Sequence, residues 1–275
     1  MRTKNYLFNK KYVVLLIGVS RYIDASLPNI PNVGYNIKEM KKIFTDPRFI
    51  GIDPKNLIIS YNDTALAIKK RIVDACNKAK NSDYSLFIYY AGHGVVNPDN
   101  LSVYLTGRDT CQKYLTETGI ALAGLREAVK RSYAGAKVVV LDACHSGQIH
   151  KLTGFNVPSM AEFAGVHIVS STSEDECALF NKRNPDMPTY FTDALVKRVR
   201  GGINNGKDYL TLGEVVDGIK AEFRNLGYPL PIQSRIGDTY KAPFAKNVAA
   251  PKDFVAMPKP KSFVGRALMR LSFMM

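Results

Sequence analysis

The chain has no apolar run near the ~20 residues that a membrane-spanning helix needs. Its longest such run, Tyr12–Val19, is strand-length. The N-terminal MRTKNYLFNKK is basic but lacks an apolar stretch of secretory-signal length, so secretion is not expected. Cysteine is scarce. The four residues Cys76, Cys111, Cys144 and Cys177 are each more than thirty positions apart and form no CxxC pair. That spacing excludes a disulfide scaffold, argues against a clustered zinc site, and fits reduced thiols in a cytosolic protein. A Walker A loop and a GxGxxG turn are both absent, and Ser146, in CHSG, does not sit in the G-x-S-x-G elbow of serine hydrolases.

What remains is a 275-residue chain, 46% hydrophobic and 23% charged, able to bury a real core. Lys and Arg number 38 against 24 Asp and Glu, giving +14, but the excess is uneven. Residues 1–11 and 246–275 together hold +9 of it. No RRM, zinc-finger or other reader motif accompanies this charge, so nucleic-acid binding is not expected as the primary function. One domain is expected over residues 8–248, followed by a basic tail, 249–275. In that tail Val264, Leu268, Leu271 and Met275 alternate with Arg266 and Arg270. It reads as a frayed or docked end, or else as an amphipathic membrane or partner helix.

Strand and helix signals alternate. Buried strands are expected at Tyr12–Val19, Ser85–Ala91, Lys137–Leu141 and Val166–Ser170, where apolar residues run without a break. Shorter ones are expected at Asn56–Ser60, Leu101–Thr106 and, at an edge, Pro231–Ile236. Helices are expected over Tyr35–Asp46, from an N-cap at Thr64 to about Lys80, and over Ile120–Ser132, Tyr190–Arg200 and Leu212–Leu226. In the second of these Leu66, Ile68, Ile72 and Cys76 face the core. The alternation implies an α/β fold with a mostly parallel sheet covered by helices on both faces.

Chemistry in such folds gathers at the carboxyl ends of the strands. Ser85–Ala91 runs into Gly92-His93-Gly94, and Lys137–Leu141 into Asp142-Ala143-Cys144-His145-Ser146-Gly147. If the two strands are neighbours, His93 and Cys144 emerge on one edge as a nucleophile and its acid–base partner. The backbone N–H groups of Gly94 and Cys144 then converge on a developing oxyanion. Cys76, on an apolar helix face, and Cys111, in a polar loop, have no such context.

At Tyr90–Gly94 and Asp142–Gly147 the chain resembles the caspase-like cysteine peptidases, which include caspases, metacaspases and paracaspases. Gly18–Tyr22, Leu27–Pro31, Tyr35-Asn36, Val169–Thr172 and Ala242–Asn247 are similar to its bacterial, effector-associated branch. The resemblance covers about residues 10–248. It implies a caspase-like fold with about six strands, Cys144 attacking a peptide carbonyl, His93 as acid and base, and no metal or other cofactor in the chemical step; calcium as an activator stays open. It also places Asp142, Asn36, Ser170 and Glu174 with the substrate. Asp142 holds the position that selects Arg or Lys before the scissile bond in metacaspases, while Asn36 stands where those relatives carry a second Asp. Glu174, Asp175 or Glu176 either supplies that charge or caps the next segment in solvent. The expected protein is a bacterial cytoplasmic endopeptidase that cuts a protein partner, such as a pore-forming effector in anti-phage defence. The alternatives are an inactive scaffold and a tail-driven binder of nucleic acid or membrane surfaces.

Overall fold

The computed structural model describes residues 11–100, 102–143, 166–171, 184–233 and 239–250. Its centre is a six-stranded sheet built from β1 (Tyr12–Gly18), β2 (Leu57–Tyr61), β3 (Ser85–Ala91), β7 (Ala136–Asp142), β8 (Val166–Ser170) and β10 (Ile232–Gln233). The strand order is β10-β8-β7-β3-β1-β2, and every pairing is parallel except that of β10 with β8. All seven residues of β1 and all seven of β3 are buried, which is why both read as unbroken apolar runs.

Two layers of helix cover this sheet. Against one face pack α1 (Asn32–Thr45), α5 (Tyr190–Gly201) and α6 (Leu212–Leu226), meeting Val14, Leu16, Phe87, Tyr89 and Val140. Against the other pack α2 (Ala65–Lys78) and α4 (Leu122–Arg131), meeting Val13, Leu15, Ile88, Tyr90 and Leu141. Thr64 caps α2 as expected, its hydroxyl accepting the Ala67 N–H at 3.2 Å. Thr211 and Glu214 close a capping box at the start of α6.

Several expectations need correction. Leu66 is 77% exposed, because the buried stripe of α2 runs through Ala65, Ile68, Ile72, Ala75 and Cys76, leaving Leu66 about a hundred degrees off it. α1 begins three residues early, directly after Pro31, with Val33 already buried. Ile120 and Ala121 are not helical. They form β6, which closes a small antiparallel sheet with β4 (Gly94–Val96) and β5 (Val103–Leu105) after a connection that carries the short helix α3 (Leu115–Thr118). A two-stranded pair, β9 (Tyr209–Thr211) with β11 (Pro243–Lys246), was not anticipated.

Register decides where chemistry can sit. Gly18 lies opposite Ala91, Ala91 opposite Asp142, and Leu141 opposite Ser170. Four parallel strands therefore end level with one another. Backbone bonds continue past the ends, from Val19 N–H to Ala91 O at 2.9 Å and from Ser171 N–H to Leu141 O at 2.9 Å. α1 leaves this edge in close contact with β1, since a Cβ on Gly18 would stand 2.6 Å from Ile37 Cγ1.

Candidate active site

β3 and β7 are neighbours, so the condition for joining the two motifs holds. His93 emerges just past β3 and is held from every side. Its backbone N–H donates to the Tyr22 hydroxyl at 2.9 Å, and its carbonyl accepts from the Tyr90 hydroxyl at 2.9 Å and from Thr106 Oγ1 at 3.1 Å. The imidazole rests against the Tyr22 ring, with centroids 4.8 Å apart. Gly92 permits the approach of these phenols, because a Cβ there would lie 2.7 Å from Tyr90 Oη and 2.9 Å from Tyr22 Oη.

The ring's protonation follows from one contact. His93 Nε2 lies 2.7 Å from the Pro28 carbonyl oxygen. A carbonyl can only accept, so Nε2 carries the proton and, in the neutral ring, Nδ1 keeps its lone pair. Nδ1 has no hydrogen-bond partner among the described residues. Burial pushes the imidazole pKa below its ordinary value, and the Pro28 carbonyl partly opposes that. The ring is thus neutral and basic at Nδ1 near pH 7.

Asp142, the last residue of β7, is 3% exposed and on the α1–α5 side of the sheet. Its Oδ2 accepts from Thr192 Oγ1 at 2.7 Å, Asn36 Nδ2 at 3.2 Å, Tyr89 Oη at 3.3 Å and the Thr189 hydroxyl. Oδ1 is buried and finds no donor among the described residues. Burial raises the carboxyl pKa, and the hydroxyls of Thr189 and Thr192 draw it back. A buried carboxylate oxygen with no partner is costly, and a cation placed beside it would remove that cost.

Asn36, fully buried in α1, explains the missing second carboxylate. Its Oδ1 accepts the Thr189 N–H at 2.8 Å, and its Nδ2 donates to Thr189 Oγ1 at 3.0 Å and to Asp142. A second Asp could not donate to Asp142. Here the position braces the acid and the start of α5 from behind. Ser170 is not brought to Asp142. It shares the face of Leu141, toward α2 and α4, since residues of β8 alternate. The next residue, Ser171, is on the acid's side: its hydroxyl lies near enough to favour the charged carboxylate, yet has no partner within hydrogen-bond reach among the described residues. Gly94 is buried, directly follows His93 and opens β4. Cys144, two positions beyond Asp142, and Glu174, after β8, lie outside the described residues, as do Asp175 and Glu176. Among the described residues no group of three or more His, Cys, Asp or Glu side chains could hold a metal ion.

Sequence reading missed Tyr22, Pro28, Tyr89, Thr106, Thr189, Ser171 and Thr192. The adjacent phenols were the visible signal. Two tyrosines inside a buried strand must each find a partner, and their opposite directions send Tyr89 to Asp142 and Tyr90 to His93.

No curated protein matches the chain in sequence. Among solved structures it is similar to caspase-1 from Spodoptera frugiperda, with a TM-score of 0.60 at 14% identity, over 85% of this chain and 93% of that one. That likeness concerns the fold, and it agrees with the six-stranded sheet and its two helical layers. The family model for the caspase domain matches residues 11–232, a span that runs from β1 to the first residue of β10 and takes in both motif-bearing strand ends. The protein belongs to the caspase domain family.

Proposed function

We propose that the chain is a cysteine endopeptidase that cuts after Arg or Lys, with Cys144 as nucleophile and His93 as its acid–base partner. Family membership supports a cysteine peptidase in general terms. The observation that carries the finer reading is the 2.7 Å hydrogen bond from His93 Nε2–H to Pro28 O. It leaves Nδ1 as the proton-transferring atom, at a strand end level with the one that leads to Cys144.

In this reading Nδ1 takes the Cys144 thiol proton as sulfur bonds to the scissile carbonyl carbon. The oxyanion is held by the Gly94 and Cys144 amides. The C–N bond then breaks, and Nδ1 returns the proton to the leaving amine. Water, deprotonated by the same nitrogen, hydrolyses the thioester and frees the thiol. Asp142 Oδ1 and Ser171 Oγ, both buried without donors, meet the guanidinium or ammonium of the residue before the scissile bond. We assign the activity to limited proteolysis of a bacterial cytoplasmic effector, such as a pore-forming protein. That assignment rests on the sequence resemblance.

A fluorogenic peptide panel varied at the residue before the cut, run with wild type beside Cys144→Ala, tests the reading. Turnover of Arg and Lys peptides by wild type alone is expected. Turnover surviving in Cys144→Ala removes the nucleophile assignment, and cleavage after other residues removes the Asp142 pocket.

A further inference from the structure

Close in the chain to His93 and to its partner Pro28 lie the walls of a cleft of about 660 Å³ that the proposed chemistry does not use. Ser26, Val95, Asn97, Asp99, Lys113 and Glu117 are among the residues that line it. Its place follows from topology. Asp142 closes β7, on the β8 side of β3, whereas His93 leads straight into β4, which carries Val95. Ser26 is two residues from Pro28, the partner of the His93 ring. In the peptidase reading, a peptide whose side chain sits at Asp142 and whose scissile bond passes His93 is taken to continue toward this cleft.

Built walls surround it. Asp24 Oδ2 accepts the Gln112 N–H at 2.8 Å, tying the Pro28 loop to the opposite wall. Asn97, 8% exposed, accepts the Asp99 N–H at 2.9 Å and donates to Thr116 Oγ1 at 3.2 Å. The charges are unbalanced. Lys113 lies over the Tyr114 ring, 5.4 Å from its centroid. Asp99 and Glu117 are exposed, and among the described residues their carboxylates make neither an ion pair nor a hydrogen bond.

Resting on the peptidase reading, we propose that this cleft binds the substrate residues that follow the scissile bond, and that Asp99 and Glu117 select a basic side chain there. The charge on both sides of the cut would then be read, by Asp142 before it and by this pair after it.

Internally quenched peptides with a common half ending in Arg, followed by Lys, Ala or Glu at each of the next three positions, test this. Wild type is expected to rank them Lys, Ala, Glu in kcat/KM at one or more positions, by about threefold or more in total, mostly through KM. In Asp99→Asn/Glu117→Gln the Lys-to-Glu ratio is expected to fall to near one. A wild-type ratio near one, or a ratio that survives the double substitution, overturns the proposal. If no peptide is cut, the peptidase reading fails separately, and the same peptides, fluorescein-labelled, are titrated into Cys144→Ala protein. Binding ranked by charge and levelled by the double substitution upholds the cleft as a basic-peptide site; unranked binding overturns it.

Discussion

A single buried oxygen sets the economy of the proposed specificity pocket. Four donors crowd Asp142 Oδ2 while Oδ1 has none among the described residues, and burial raises the carboxyl pKa above its ordinary value. The sign follows from proton linkage. An acid with a raised native pKa binds more protons folded than unfolded, so its contribution to stability falls as pH rises from 3.8 through the native pKa. At pH 7 the charge burdens the unliganded fold. Asp142→Asn is therefore expected to hold or raise Tm, by about 2–4 °C for each kcal/mol gained. It should also lower kcat/KM for Arg peptides on the order of 100-fold. Thermal melts beside Arg-peptide kinetics check this, and a lowered Tm with retained Arg cleavage would contradict it. Tyr22→Phe keeps the ring against His93 but removes the acceptor of its N–H, at a cost of about 1–3 kcal/mol. Denaturant melts should show that loss, with a fall in kcat that the conserved aromatic stacking does not rescue. Thiol chemistry offers a contrast. Burial pushes Cys76 up to about 11, so it should label last with iodoacetamide, and Cys144, as the proposed nucleophile, should label first; mass spectrometry of partly alkylated protein reads the order.

At the scale of elements, the close seat of α1 on β1 is the point of leverage. Gly18→Ala places a methyl 2.6 Å from Ile37 Cγ1, and the Ile37 side chain, or α1 with it, must shift. The expected cost is about 1–3 kcal/mol. Because α1 carries Asn36, kcat/KM should fall as well. Thr64→Ala costs a comparable ~1 kcal/mol through the α2 cap, but it acts on the opposite helical layer, so activity per folded molecule should stay within error. Equal losses of activity in both variants would refute the coupling through α1. The same elements show what a sequence discloses. The central strands were legible because helices cover both faces, turning each into an unbroken apolar run. Leu66 misled because a helix of this length buries one narrow stripe. The Ser170 and Ser171 pair was undecidable, since a strand exchanges faces at every residue. Pro28 was invisible for another reason: it acts through its backbone carbonyl, which no side-chain pattern encodes.

For the molecule as a whole, pH and length give the tests. A neutral His93 must accept a proton, so kcat/KM should rise through a pKa below the ordinary 6.5 of histidine. For Arg peptides the limb should also reflect ionisation of Asp142. Asp142→Asn, assayed on whichever residue it still cleaves, should retain only the histidine limb. An acid limb centred above 6.5 would contradict the buried setting of the ring. Removal of 251–275, beyond both the caspase-domain match and β11, should leave peptide turnover within about twofold, an effect on the scale of a dispensable surface change. Loss of turnover on that truncation would assign the tail a part in the activity. A last consequence belongs to Tyr89 and Tyr90. From one strand, one phenol grips the acid on one face of the sheet and the other grips the base's carbonyl across it. β3 is thus a common datum for two distances that must agree, and a lengthwise slip of the strand would carry both grips together. Thermal jitter of the sheet then shifts both groups as a block, and in the proposed peptidase the gap between where a substrate is held and where it is cut varies less than either position alone.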